Sequence, residues 1–416
     1  MALEEVSNED LFLEDIDPSV DIFYRDFDFN IDEGVLIDIK IRNRDLIRQK
    51  INPTIRRAKP MDSQDIVRIY NDIYNGDYPY VEMLDIEYVE NRIADPNFEF
   101  LVFLNPEQEI TGCITFVLDF FHQKGYIRGF MVRKKFQGKL DTKKAMIGSM
   151  LCMSNYYKRE VLVWYVENRT AHSKSQYPMA LCGLLPIAFY PNKDIFFEKV
   201  ESVLMQIKYD GQAIGRLRSR KQPKILQSVK SCYDYSSKQY NLAPDQIILE
   251  DYHSCIKSTL FSRVDKYKIL KLCELLRVDK SFDEFGYETI RMSFKGMNSY
   301  FQFLYTPQVN NFEKTVYHIN TIEELYLFLH LFKFYIKRYE VRYAEAFVSA
   351  YNPEEQALFT YIGMNPCGYV PSWKKNRSTL LFEDFILFNL FKGDFPQQIS
   401  LIEEGKDLIN SLNFKK

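Results

Sequence analysis

The sequence predicts an α/β protein (an α+β mixed sheet) arranged as two related units joined by a helical linker. Three observations carry that prediction. The chain has 416 residues, a length that suits two or three domains, and 46% of them are hydrophobic, ample for folded cores. Apolar runs rich in Phe, Val and Ile alternate with helix-like stretches. The chain also repeats itself: GLLPIAFYP, from Gly183, and GMNPCGYVP, from Gly363, stand 180 positions apart. Gln176 and Gln356 precede them at the same interval, and Pro186, Phe189 and Pro191 match Pro366, Tyr369 and Pro371.

The elements follow in order. Thr54 to Ala58 reads as a strand, Asp62 as the cap of a helix through about Tyr74, and Asp85 to Ala94 as a second helix. Phe98 to Leu104, Gly112 to Asp119 and Tyr126 to Val132 are three strands, followed by a lysine-rich turn and a helix from Thr142 to Tyr157. The first copy of the repeat is then a strand (Val161 to Val166), a loop containing Asn168, a helix (Ser173 to Cys182), a glycine that ends it and a further strand. In the second copy, Thr315 to Ile319 runs through Asn320 straight into a helix beginning near Thr321, with Glu323 and Glu324 on its N-terminus. Tyr343 to Val348, a loop with Asn352 and Pro353 to Ile362 complete the unit. The expected organisation is an acidic extension over 1–50, with a strand at Gly34 to Lys40, a first domain over 51–215 and a helical linker over 216–285. A degenerate second domain over 286–395 and a C-terminal helix within 396–416 follow. The basic stretch Gly215 to Lys224 is expected to be a solvated loop.

Composition narrows the function. A net charge of −3 creates no field that would draw the chain to nucleic acid or an anionic membrane. Seven cysteines stand singly with no CxxC pair, which suits reduced thiols in the cytoplasm and offers no metal-ligand spacing. The acidic start lacks the pattern of a signal peptide, and the longest apolar run, Leu325 to Ile336, is too short for a bilayer.

The turn Arg133 to Thr142 lies between a strand and a helix N-terminus, where backbone amides and the helix dipole converge on an anion. Gly138 lets the backbone approach a pyrophosphate, and Arg133, Lys134, Lys135, Lys139, Lys143 and Lys144 surround it with positive charge. QGKLDT, Gln137 to Thr142, resembles the Q/R-x-x-G-x-G/A turn of the GCN5-related N-acetyltransferase (GNAT) superfamily, with Leu140 and Thr142 where glycines are usual. The resemblance covers about Thr54 to Tyr209, with a second half-match at Tyr343 to Phe388.

The resemblance implies two GNAT-like domains, an acetyl-CoA cofactor and a small-molecule or peptide amine acceptor. It places the cofactor against Phe130, Met131, Val132, Lys135, Gln137, Gly138, Lys139, Thr142 and Asn168. Acceptor contacts fall to Arg128, a bidentate anchor for a carboxylate, and to Tyr78, Tyr80 and Glu82. The family's tyrosine position holds Met179 in the first copy and Phe359 in the second, and neither can donate a proton. Proton transfer is therefore expected from His172 or Tyr177, on one helix beginning near His172, or from Asp119 or Glu167. The alternative is a non-catalytic protein of the same fold that binds CoA or serves as a scaffold.

Overall fold

In the computed structural model, which describes residues 27–32, 35–41, 50–242, 248–250, 266–395 and 399–412, sixteen strands join in one mixed sheet. The amino-terminal strands are β1 (Phe27–Asp32), β2 (Val35–Ile41), β3 (Thr54–Arg57), β4 (Phe98–Leu104), β5 (Ile110–Asp119), β6 (Lys124–Val132), β7 (Val163–Arg169), β8 (Leu185–Phe196) and β9 (Lys199–Tyr209). A separate parallel pair consists of β10 (Lys224–Leu226) and β11 (Ile248–Glu250). The remaining strands are β12 (Leu276–Phe282), β13 (Glu288–Phe294), β14 (Tyr300–Thr306), β15 (Asn311–His318), β16 (Tyr343–Ser349), β17 (Asn365–Lys375) and β18 (Phe382–Phe391). Helices are α1 (Ser63–Tyr74), α2 (Ile86–Ile93), α3 (Thr142–Tyr156), α4 (Gln176–Leu181), α5 (Gly211–Ile214), α6 (Lys230–Gln239), α7 (Lys266–Leu275), α8 (Ile322–Arg338), α9 (Pro353–Tyr361) and α10 (Glu403–Ser411).

Both faces of the central strands are covered, so those strands read as continuous apolar runs. Phe100, Val102 and Leu104 of β4 pack with Ile66, Ile69 and Tyr70 of α1, while Leu101 and Phe103 join Met146, Ile147 and Met150 of α3 on the other side. In α8, Leu325, Phe328, Leu329, Phe332 and Ile336 form the buried stripe that helical spacing demands. Among the described residues no helix is long and apolar enough to cross a membrane.

Taken from the two ends toward the middle, β3-β4-β5-β6-β7-β9-β8 and β12-β13-β14-β15-β16-β18-β17 run in the same order. Each series contains one parallel pair, β6 with β7 and β15 with β16. The series meet where β8 pairs antiparallel with β17, Ala188 opposite Gly368. Those residues are themselves 180 positions apart, so a local twofold axis passes between them. The matched glutamines do matched work. Gln176 donates to the Arg169 and Ser400 carbonyls, and Gln356 donates to the Ser349 and Lys224 carbonyls, tying each strand end to a distant segment.

Several expectations need correction. Asn168 is on β7, not in a loop, and α4 begins at Gln176, so His172 lies outside the helix that carries Tyr177. The segment 216–285 contains β12, the far edge strand of the sheet. The basic stretch is solvated in part, with Arg216, Arg220, Lys221 and Lys224 exposed, but it is anchored: Arg218 is buried against Asp384 at 2.6 Å, and the Ser219 N–H donates to the Phe382 carbonyl. A buried, hydrogen-bonded ion pair holds it down where net charge alone predicted exposure. Most of the acidic extension lies outside the described residues, though β1 and β2 add to the sheet beyond β3.

A Cβ on Gly368 would fall 2.4 Å from the Ala188 Cβ and 2.8 Å from the Ile187 carbonyl oxygen. Gly368→Ala should therefore cost roughly 2 kcal/mol in urea unfolding, and adding Ala188→Gly should recover part of it. An unchanged unfolding midpoint in Gly368→Ala would show that the junction is not tightly packed.

Candidate active site

The site begins at a fork in the sheet. Strands β6 and β7 pair only from Lys124 opposite Val163 to Ile127 opposite Val166, and then part. A bulge between the Cys113 and Thr115 pairings turns β6 at this point, with Gly129 at φ +63 and its absent Cβ leaving room for the Tyr70 hydroxyl 2.2 Å away. Beyond Ile127 the freed edge of β6, through Phe130, Met131 and Val132, faces a cavity of about 720 Å³. In the second series, β15 and β16 pair only at Asn311 with Tyr343 and Phe312 with Ala344 before they too diverge. Glu313 and Glu345, just past that second fork, line the same cavity.

Two equivalent bulges cross between the halves. Register slips between Tyr190 and Asp194 on β8 and between Val370 and Lys374 on β17, with Asn192 and Ser372 both at positive φ. The first bulge sends Lys193 to the second fork and the second sends Trp373 to the first. Lys193 Nζ lies 2.9 Å from Glu167 and 3.1 Å from Glu345. Trp373 stacks edge-on to Tyr165 with centroids 4.9 Å apart.

Around Lys193 the carboxylates outnumber the cations. Glu167, Asp194, Glu313 and Glu345 line the cavity, and Asp194, Glu313 and Glu345 are all buried. Burial works against the Lys193 charge, but Glu167, Glu345 and Glu313 outweigh it and hold the ammonium well above its usual range. Burial also pushes Asp194 and Glu345 up, each to about 7, although Lys193 draws both down. Tyr80 donates to Asp194 at 3.1 Å and Tyr343 donates to Glu345 at 3.0 Å. This is an acidic, aromatic-walled chamber able to receive a cation and hold or release protons near neutrality.

The turn after β6 opens at the rim of the cavity, where Gln137 lines it and donates to the Val132 carbonyl at 3.2 Å. Gly138 has φ +78, and no atom lies within 4 Å of the place its Cβ would take. The Gly138, Thr142 and Lys143 amides donate to no acceptor among the described residues. Lys139 and Lys143 are exposed beside them. Those groups fit a diphosphate. The expected ring of cations is thinner than six: Arg133 and Lys135 pair with Glu109, Lys134 donates to Asn75, and Lys144 is buried. Asp141, not Thr142, caps α3, accepting from the Lys144 amide at 3.2 Å. In the second half Glu324 accepts from the Asn320 and Thr321 amides, so an acid closes that helix end as well.

Of the other expected residues, Asp119, Glu167, His172, Asn168, Arg128, Tyr78, Tyr80 and Glu82 line the cavity. Asn168 is nevertheless engaged with Gln206 at 2.7 Å, and Arg128 has Glu82 at 3.8 Å. Asp119 is a weak base: burial pushes it up, but two hydrogen bonds from His122 and the Lys124 charge bring it down to about 2. Tyr177 is 48% exposed, packs against Lys143 and lies outside the cavity lining. Missed in the sequence were Lys193, Asp194, Glu313 and Glu345. Lys193 and Asp194 stand two and three residues after the matched Pro191, so extending the repeat three residues would have reached them.

No family model matches the chain, and no curated protein matches it. Solved structures similar to parts of it are spermidine N-acetyltransferases from Vibrio cholerae. One, a SpeG mutant, has 12% identity and a TM-score of 0.34, covering 39% of this chain and 97% of that one. A spermidine/spermine N-acetyltransferase SpeG in complex with manganese ions has 14% identity and a TM-score of 0.33, covering 39% and 96%. A dodecameric form has 13% identity and a TM-score of 0.33, covering 39% and 97%. Likeness at this level places no function on the chain.

Asp141→Ala separates the cap from the anion site. It should cost about 1 kcal/mol of stability in denaturant unfolding and should raise affinity for CoA in calorimetric titration. Weaker CoA binding in that variant would mean that Asp141 organises the turn rather than competing for it.

Proposed function

We propose that this chain is an acetyl-CoA-dependent N-acetyltransferase of the GNAT type, with an amine acceptor and with the cofactor in the first half. The single observation behind the reading is the fork: a parallel pair opens beside a cationic turn, and an acidic cavity lies directly beyond it. Acetyl-CoA, when bound, supplies an acetyl thioester. The residues that would hold it are the Gly138, Thr142 and Lys143 amides, the Lys139 and Lys143 side chains, and the freed edge of β6 at Phe130 to Val132.

An alkyl amine arrives protonated, since its pKa is near 10 in water. The carboxylates around Lys193 favour its entry, and burial raises the proton affinity of Asp194 and Glu345 among them. Glu167 stands one residue past the last β6–β7 pairing and takes the proton, while Lys193 links it to Glu345. His172 lines the same opening and is placed to return a proton. Arg128, Tyr78, Tyr80 and Glu82 form the acceptor wall. The second half, whose helix end is closed by Glu324, contributes Glu313 and Glu345 to that wall rather than a second cofactor site.

A second reading is favoured by Asp141: a non-catalytic protein of this fold whose anion site is closed from within. Acetyl-CoA titration of the full chain separates the two, since saturable binding is required only by the first.

Glu167→Gln should lower turnover roughly 10²-fold with acetyl-CoA affinity preserved. In the unaltered chain turnover should rise with pH through about 7, as Asp194 and Glu345 lose their protons and accept new ones. Turnover of Glu167→Gln within about twofold of the unaltered chain would remove Glu167 from the proton path.

A further inference from the structure

The end of the cavity farthest from the turn has the opposite charge. Lys124 opens β6 and pairs in register with Val163, four residues before Glu167 on the neighbouring strand, or roughly 13 Å away along it. Its residue is only 8% exposed, yet it lines the cavity. Its ammonium lies 3.7 Å from the Trp373 ring centroid and 5.9 Å from that of Tyr165. Among the described residues no carboxylate lies within ion-pair distance of it. Asp119, its register partner across β5, is turned to His122 at 2.7 Å. The next residue after Trp373, Lys374, is close enough to repel Lys124 and likewise has no ion pair among the described residues. A buried ammonium under an aromatic ring, with a second ammonium close by and only the Asp119 charge acting on both without an ion pair among the described residues, is costly, and an anion that enters offsets that cost.

We propose that Lys124, with the charge of Lys374 behind it, forms an anion subsite under Trp373, and that the acceptor is an amino acid-like molecule whose carboxylate binds there. The assignment rests on the acceptor chamber described under Proposed function: the carboxylates around Lys193 receive the ammonium end, and Lys124 receives the acid end. Burial and Lys374 push Lys124 down to about 7 against the pull of Asp119, and burial pushes Lys374 down to about 8 against the same carboxylate. Two ammoniums less the Asp119 carboxylate leave at most one positive charge, which a single carboxylate matches better than a phosphate dianion does. Arg128 is less suited to the role, because Glu82 already stands 3.8 Å from it.

The test is calorimetric titration of the full chain, without acetyl donor, using unbranched ω-amino acids of increasing length, with monoamines, diamines and aminoalkyl phosphates of the same lengths. The best amino acid should bind at least about 10-fold more tightly than the matching monoamine. Lys124→Met should abolish that preference and Lys124→Arg should keep it. If Lys124→Met fails to fold, Lys374→Met, at a half-exposed position, should weaken amino acid binding several-fold at an unchanged melting temperature. Equal binding of the monoamine or diamine, tighter binding of the phosphate, or no binding by any probe would overturn the subsite. So would a Lys124→Met chain that binds the amino acid normally but loses turnover, because Lys124 would then be a proton acceptor. Because the readout needs no acetyl-CoA, failure of acetyl transfer would count against the proposed function and leave this result standing.

Discussion

The contact between Ala188 and Gly368 sets the geometry of everything else in the molecule. Two strands that occupy equivalent places in the repeat pair with each other antiparallel, and that pairing is possible only because residue 368 has no side chain to meet Ala188. It makes two seven-strand series into one sheet. It also brings each bulge, at Asn192 and at Ser372, across to the opposite fork. The cavity therefore has no owner among the two halves: Lys193 and Trp373 enter it from the two bulges, and the two diverging parallel pairs line it.

Four carboxylates near one buried ammonium are unfavourable for folding, since charges taken from water repay their desolvation only when well paired. Lys193 satisfies Glu167 and Glu345, and Asn311 donates to Glu313 at 2.8 Å, which leaves Asp194 with a tyrosine hydroxyl as its partner. Burial, reinforced by the neighbouring carboxylates, raises the proton affinities of Asp194 and Glu345. A cation that entered the cavity would complete the pairing that folding leaves open. The Lys124 end presents the inverse case, with positive charge awaiting a negative partner.

The sequence revealed the fold further than it revealed the site, for physical reasons. Strands such as Phe98 to Leu104 announce themselves because both faces are buried, and α3 because its turn and length are unambiguous. The end of β7 was misplaced because Asn168 is a polar residue buried by a side-chain partner, Gln206, that lies far away in sequence. The same cause hid Arg218, whose partner Asp384 is distant along the chain. Candidate site residues contributed by β6, β7 and the turn could be found by local pattern. Glu313 and Glu345 could not, since nothing local in NFEKT or YAEAF distinguishes a cavity carboxylate from a solvated one until the two forks are brought face to face.

The repeat explains why the halves differ in role although they share an order of strands. At equivalent positions Lys193 answers to Trp373, and Glu345 to Tyr165, so the same contact across the twofold axis is an ion pair on one side and an aromatic pair on the other. The ion pair closes the second fork with charge, and its helix end is further closed by Glu324. The aromatic pair instead walls the first fork with flat, apolar surface and leaves Lys124 without an ion pair among the described residues beneath Trp373. A duplication with exact symmetry would place either two closed forks or two open ones in the cavity. Divergence at these matched positions leaves one open fork, and gives the other half the task of shaping what the open one receives.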